Sequence, residues 1–276
     1  MMSAACRRTP RRRVGPSSAE QRRNRRVMKI SQVFGPTVQG EGSAAGRHCL
    51  FVRTFDCNLE CNFCDTAYTW AVTDEKAAKT RSGKRYERDE PLYGLKHMDA
   101  AAVLDRLRAL WDIEHRPTII VISGGEPMMQ QRELVPLLEQ LRGWGHEVHI
   151  ETAGTIAPLA EFNELVTQYN VSPKLASSGN RLSKRFKPEA LAALRDSGRA
   201  WFKFVVTEDW ETDLAEIDRI VVDVALAPQR VMVMPEGSDG RTNITTAQKM
   251  VDAALRRGFG LSFRNHVFLW NEDPDR

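Results

Sequence analysis

Three cysteines fall within eight residues, in the stretch Asp56-Cys57-Asn58-Leu59-Glu60-Cys61-Asn62-Phe63-Cys64-Asp65-Thr66. The spacing CxxxCxxC puts three thiolates on one short loop. Thiolates are soft ligands that suit iron–sulfur clusters or zinc. A structural zinc takes four protein ligands, and this loop supplies three. A cubane cluster held by three cysteines keeps one iron open for a further ligand. The competing reading is a zinc knuckle that borrows His48 or Cys49.

Other polar clusters recur at regular places along the chain. Gln39-Gly40-Glu41-Gly42 follows a short apolar stretch, and its glycines allow close backbone approach to a ligand. Ser123-Gly124-Gly125-Glu126-Pro127, Glu151-Thr152-Ala153-Gly154 and Ser172-Pro173-Lys174 each follow an apolar run. Arg53 closes the run Cys49 to Thr54, just before the cysteine loop, where a guanidinium is a natural fork for a carboxylate. Cys49 itself reads as a small core residue.

Those apolar runs read as strands, and helical periodicity fills the intervals between them. Helices are expected from Asp99, as N-cap, to Trp111, and over 134–143, 159–169, 188–195 and 213–222. A further helix runs from Thr245, as cap, to Arg257, with Gly258 as its stop. Residues 266–270 read as a last strand-like piece. Strands alternating with helices predict βα units and a parallel sheet. About six parallel strands are too few for a closed eight-stranded barrel, so the expected fold is α/β, a partial, open (β/α) barrel. Ligands bind at the carboxyl ends of such strands, so all the polar clusters should share one rim. Residues 70–98 are charged and irregular and read as an exposed insertion.

The chain has 276 residues and a formal charge of +4. Residues 1–27 carry nine arginines and one glutamate, so the remainder holds 31 Lys and Arg against 35 Asp and Glu, a balance of −4. The basic balance therefore belongs to a segment without hydrophobic periodicity, expected to be disordered. It resembles a transit peptide in being Arg-rich and acid-poor. It lacks the aromatic residues of a nucleic-acid arm. A translation start placed ahead of the true one, Met28, is the favoured account, and residues 28–276 are expected to form one catalytic domain. Nucleic acid is not an expected partner of the mildly acidic remainder, nor is a membrane, since no run of about 18 apolar residues is present. Clustered cysteines without a disulfide framework suit a reducing cytoplasm.

With these motifs in place, the chain resembles the radical S-adenosylmethionine (SAM) enzymes, whose mark is CxxxCxxC. More closely, Phe34-Gly35-Pro36-Thr37-Val38-Gln39-Gly40-Glu41-Gly42, Cys57 to Thr66 and Tyr68-Thr69-Trp70 resemble the 7-carboxy-7-deazaguanine synthases of queuosine and 7-deazapurine biosynthesis. Ser123 to Pro127, Glu151 to Gly154 and Val171 to Lys174 continue the likeness, which covers residues 28 to about 270. The resemblance implies a lyase that contracts the ring of 6-carboxy-5,6,7,8-tetrahydropterin with loss of ammonia. It implies a 4Fe-4S cluster on Cys57, Cys61 and Cys64, with SAM regenerated in each cycle, and Mg2+ on Thr66. SAM would lie against Gly125, Glu151, Thr152, Ala153, Ser172, Pro173 and Lys174. Substrate would meet Val38, Gln39, Gly40, Glu41, Arg53, Ser123 and His266. A flavodoxin- or ferredoxin-type electron donor and a homodimer are implied as well. Where the family often has Lys after the C-terminal histidine, this chain has Val267, and an acidic tail runs on to Arg276. The insertion at 70–98 is a further departure. Two other functions compete: a glycyl-radical activating enzyme, which shares the cysteine spacing, and a zinc-stabilised binding module without catalysis.

Overall fold

A computed structural model describes residues 26–111, 118–237 and 239–270. All but the last two residues of the basic segment 1–27, and the tail 271–276, lie outside the described residues.

The strands are β1 (Met28–Val38), β2 (His48–Thr54), β3 (Lys96–Met98), β4 (Ile119–Gly124), β5 (Glu147–Thr152), β6 (Gln168–Val171), β7 (Ala200–Val206), β8 (Val231–Pro235) and β9 (Gly260–Leu261). They form one sheet in the order β3-β1-β2-β4-β5-β6-β7-β8-β9. From β2 to β9 every pairing is parallel, whereas β1 runs antiparallel to both β2 and β3. The two ends of the sheet do not pair with each other, so the barrel is open. Seven strands share the parallel direction rather than about six. The additional one, β9, is two residues long and pairs at its Gly260 and Leu261 with β8, too short to show a period in sequence.

The helices are α1 (Asp74–Ala77), α2 (Ala100–Leu110), α3 (Gln131–Gly143), α4 (Ala160–Leu165), α5 (Leu182–Arg185), α6 (Pro188–Asp196), α7 (Trp210–Val224), α8 (Gly240–Arg256) and α9 (Asn265–Trp270), of which α2, α3, α4, α6, α7 and α8 pack into the core on the outer face. Asp99 caps α2 as expected, its Oδ1 accepting from Ala102 N at 2.9 Å. The cap of α8 is Asp239 rather than Thr245, which lies inside the helix with its hydroxyl on Arg241 O. Residues 265–270 form a helix, not a strand. Val267 is the only one of them buried, and Phe268 and Leu269 stay exposed. That pattern does not fit a strand that alternates between two faces.

The two-residue period of the strands sorts the interior. Leu50, Val52, Ile120, Ile122, Val148 and Ile150 point outward into the main core under the helices. On the inner face, Cys49, Ile119 and Val121 pack with Phe51 toward the amino ends of their strands. One step nearer the carboxyl ends, the inner face turns polar. Arg53 pairs in register with Ser123, and Glu151 with Asn170. An apolar floor therefore carries a polar belt, and the loops above the belt form the rim.

Candidate active site

A cavity of about 970 Å³ opens on that rim. The cysteine loop, the Gln39–Glu41 loop, the loops after β4, β5 and β6, and the segment after β9 all line it. Of the residues singled out in the sequence, Val38, Gln39, Gly40, Glu41, Arg53, Cys57, Cys61, Cys64, Thr66, Ser123, Gly125, Glu151, Thr152, Ala153, Ser172, Lys174 and His266 are brought together here. Pro173 is buried in the chain beside Lys174 but does not line the cavity.

The cysteine loop has almost no regular structure, so its neighbours hold it. Glu60 N donates to Asn180 Oδ1, Asn62 N to Ser178 O, and Arg81 N to Asn62 O. Below it, Gly125 lies against the Asp56 carbonyl, and Glu126 N donates to that oxygen at 2.9 Å. Each of the three sulfurs has an N–H donor: Leu59 N to Cys57 Sγ (3.4 Å), Asn180 Nδ2 to Cys61 Sγ (3.2 Å) and Trp70 Nε1 to Cys64 Sγ (3.3 Å). Burial raises the pKa of all three thiols, Cys61 to about 11. Buried thiolates of this kind need a cation to offset desolvation, and N–H donors to sulfur are how proteins tune iron–sulfur clusters. Among the described residues, no three His, Cys, Asp or Glu side chains converge as ligands of one ion. The set fits a cluster in which each thiolate binds its own iron. The zinc knuckle finds no support: Cys49 and His48 lie at the opposite end of β2, with Cys49 about 16 Å from Thr54 at the usual rise of a strand.

The polar belt is tied to itself. Both oxygens of Glu151 are engaged, by Gln39 Nε2 at 3.0 Å and Ser123 Oγ at 2.6 Å. Glu41 is gripped by Lys203 and by Arg264, whose Nε stands 3.2 Å away. Burial opposes its ionisation, but the charges of Lys203 and Arg264 outweigh that and hold the carboxyl well below the usual range. Lys203 is raised: burial works against its charge, while Glu41 and Glu151 favour it. A Cβ on Gly40 would fall 2.0 Å from His266 Nδ1, so any larger residue there must displace the His266 ring. Burial lowers the His266 pKa and keeps the ring neutral near pH 7. The segment after β9 is laced to the Gln39–Gly42 loop by Asn265 N to Gly40 O and Gly42 N to Ser262 Oγ. Arg264 also reaches Gly237 O and Asp65 Oδ2.

Arg53 differs from these residues. Its guanidinium lies over Phe34 and Tyr68, and its buried Nε has no hydrogen-bond partner. The hydroxyl of Thr66 does not cap the turn that follows it; it lies 3.5 Å from Cys64 Sγ and 3.4 Å from Gly124 O, facing the cavity.

Sequence reasoning passed over several members of the site. Lys203 is a lone cation in the apolar run Ala200–Val206, at an inward position of the two-residue period, and that signal was readable. Glu126 is fully buried outside the cavity lining and accepts from Thr152 Oγ1, Ala153 N and Met128 N, fastening the loop after β4 to the loop after β5. Arg264 and Asn180 sit in loops without a pattern. The insertion is no mere surface excursion: Trp70, Ala71 and Ala77 are buried, β3 adds an edge strand to the sheet beside β1, and Tyr86 and Tyr93 line the cavity.

Comparison with known proteins agrees with this geometry. The family described as a 4Fe-4S single cluster domain matches residues 38–192. A 7-carboxy-7-deazaguanine synthase of Pyrobaculum aerophilum is 32% identical over 244 residues, covering 88% of this chain and 95% of the relative. The enzyme of that name from Halobacterium salinarum is 31% identical over 90% of this chain and 93% of its own. Among solved structures, QueE from Escherichia coli shares the fold with a TM-score of 0.62 at 23% identity, over 91% of this chain and 99% of its own.

Proposed function

The chain belongs to the 7-carboxy-7-deazaguanine synthases, and on that premise we propose that it converts 6-carboxy-5,6,7,8-tetrahydropterin to 7-carboxy-7-deazaguanine with loss of ammonia. The observation that carries the reading is one cavity holding three donor-supported thiols together with an arginine whose buried Nε has no hydrogen-bond partner among the described residues. Neither a zinc-stabilised binding module nor a glycyl-radical activating enzyme accounts for both.

When bound, the cluster and SAM supply a hydrogen-abstracting radical; the protein's work is to orient and to exclude water. Cys57, Cys61 and Cys64 hold the cluster. The loops of Gly125, Thr152–Ala153 and Ser172–Lys174 form the surface for SAM, kept in mutual register by buried Glu126. Arg53 presents free N–H groups to the substrate carboxylate. Gln39, Ser123 and Glu151 offer a prearranged set of donors and acceptors for the polar edge of the pterin. Glu41, ionised through Lys203 and Arg264, adds a fixed negative charge. Thr66 would supply a hard oxygen suited to Mg2+; that it makes no helix-cap bond and lines the cavity supports that role.

A small acidic one-electron carrier of the flavodoxin or ferredoxin type is the reductant, supported by Lys76, Lys79 and Lys184 around Glu60 on the cysteine loop. A homodimer would cover the open ends of the sheet at β3 and β9. A cytoplasmic setting agrees with four free cysteines among the described residues, and no helix there is long and apolar enough to cross a membrane. The deciding experiment is anaerobic reconstitution with iron and sulfide, followed by turnover of the carboxytetrahydropterin with SAM. Product at the deazaguanine mass with release of ammonia is expected; a reconstituted cluster that cleaves SAM without ever consuming this pterin would overturn the assignment.

A further inference from the structure

Residues 70–98 contribute two tyrosines to the cavity wall, and both lead to Arg53. The guanidinium carbon of Arg53 stands 5.0 Å from the ring centroid of Phe34 and 5.8 Å from that of Tyr68. Tyr68 is 6% exposed, and its hydroxyl donates to Gln32 Oε1 at 3.0 Å. Its ring packs against Tyr93, with centroids 5.0 Å apart, and against Tyr86 at 6.0 Å, nearly perpendicular. The segment carrying these rings is anchored at both ends: Tyr86 N donates to Ala71 O, and Ser31 Oγ to Tyr93 O.

Rings packed against a guanidinium do not satisfy its N–H groups. They restrict its orientation, and a held guanidinium is suited to take a carboxylate by two parallel hydrogen bonds. No acceptor of the described residues pairs with the buried Arg53 Nε, although acidic side chains line the same cavity. Lysine in the same place would be a point charge without a preferred plane.

We propose that residues 86–93 form a selectivity wall, in which Tyr86 and Tyr93 set the plane of Arg53 through Tyr68 and so make the site discriminate for a ring ligand bearing a carboxylate. The inference rests on the reading that Arg53 receives the substrate carboxylate. Tyr86 and Tyr93 are positioning residues: they act through Tyr68 rather than on the substrate.

The test uses reconstituted enzyme under anaerobic conditions and two fluorescent, unreactive probes, pterin-6-carboxylate and unsubstituted pterin. The ratio of their dissociation constants reads the discrimination. Wild-type protein should favour the carboxylate. Tyr86→Ala/Tyr93→Ala should cut the preference about threefold to tenfold, the scale of removing aromatic support from a cation, with affinity for plain pterin and iron content unchanged. Tyr86→Phe/Tyr93→Phe, which keeps the rings, should retain the wild-type ratio. Should the double alanine variant fail to fold, Tyr86→Leu is read instead, since Tyr86 is only partly buried. A preference abolished by Arg53→Ala yet unchanged in the alanine and leucine variants would overturn the wall while sparing the Arg53 reading. No preference in wild-type protein would overturn both.

Discussion

Gly125→Ala is the substitution whose consequence can be worked most directly from the coordinates. A Cβ on residue 125 would stand 1.9 Å from the Asp56 carbonyl oxygen, 2.5 Å from its carbon and 3.1 Å from Cys57 N. All three are backbone atoms, so no side chain can swing aside. Restoring an ordinary contact requires the chains to part by about 1.5 Å. The bonds Gly125 N to Thr54 O (3.1 Å) and Glu126 N to Asp56 O (2.9 Å) cannot both survive that shift. Overpacking of this kind costs about 1–3 kcal/mol, and a lost hydrogen bond about 1 kcal/mol more. A total of about 2–4 kcal/mol corresponds to a Tm lowered by roughly 5–15 °C. Because Asp56 precedes Cys57, the displacement also falls on the first cluster ligand. Calorimetry on the iron-free protein should show the fall in Tm, and iron and sulfide content after reconstitution should drop. Gly143→Ala is the control: its Cβ would meet only Gln140 Nε2, at 3.8 Å, at the end of α3, where alanine favours the helix. If Gly125→Ala melted with wild type and took up a full cluster, the close approach of the two loops would be wrong.

Three further outcomes follow from the same site. Glu41→Gln should lower stability by about 3–5 kcal/mol, because it leaves Lys203 buried without its main anion. In wild-type protein the raised Lys203 pKa gives stability that is present below its unfolded value of about 10.4 and lost as pH rises through the folded value. In the variant burial acts against the charge, so melts between pH 7 and 9.5 should gain stability relative to wild type as pH rises; parallel curves would refute this. Glu41 itself, held low, gives stability present above its unfolded pKa of about 4.3 and lost as pH falls toward the folded value. Gly40→Ala should displace the His266 ring and raise KM for the pterin with cluster content and Tm near wild type, since a side chain can yield where backbone cannot. Thr66→Val should blunt the response of turnover to added Mg2+ at normal iron content; loss of cluster with an unchanged Mg2+ response would assign the hydroxyl to the turn instead.

What was legible in the sequence depended on regularity. Cys57, Cys61 and Cys64 declare themselves by spacing, and the strands that deliver Arg53, Ser123 and Glu151 by their β-branched runs. Their placement at strand ends follows from the parallel architecture alone. Lys203 was equally available, as a charge at an inward position of an apolar strand. Arg264, Asn180 and Tyr86 were not, because each acts from irregular chain, where position is set by tertiary hydrogen bonds rather than by a period. The same holds for residues 70–98, whose charges suggested a solvated loop although Trp70 and Tyr68 are buried beneath them. The error at 266–270 has a related cause: five residues cannot separate a helix from a strand by pattern.

The cysteine loop takes part of its electrostatics from elsewhere, and that makes its redox behaviour separable from its ability to bind iron. The donors to the three sulfurs come from the loop itself, from Trp70 in the insertion and from Asn180 after β6. An N–H aimed at sulfur favours the added electron of the reduced cluster, so deleting one should make the cluster harder to reduce. Trp70→Phe removes one such donor and keeps an aromatic ring, since Trp70 is 1% exposed, packs with Ala67 and Ala71, and reaches Cys64 Sγ through its Nε1–H. The expected result is a more negative midpoint in an EPR-monitored titration, with wild-type iron content and slower turnover when a weak reductant supplies the electron. Asn180→Ala should shift the midpoint in the same direction through Cys61, with a smaller loss of packing because the side chain is partly exposed. A midpoint unmoved in both variants would mean that these contacts only shape the loop, and that solvent sets the potential.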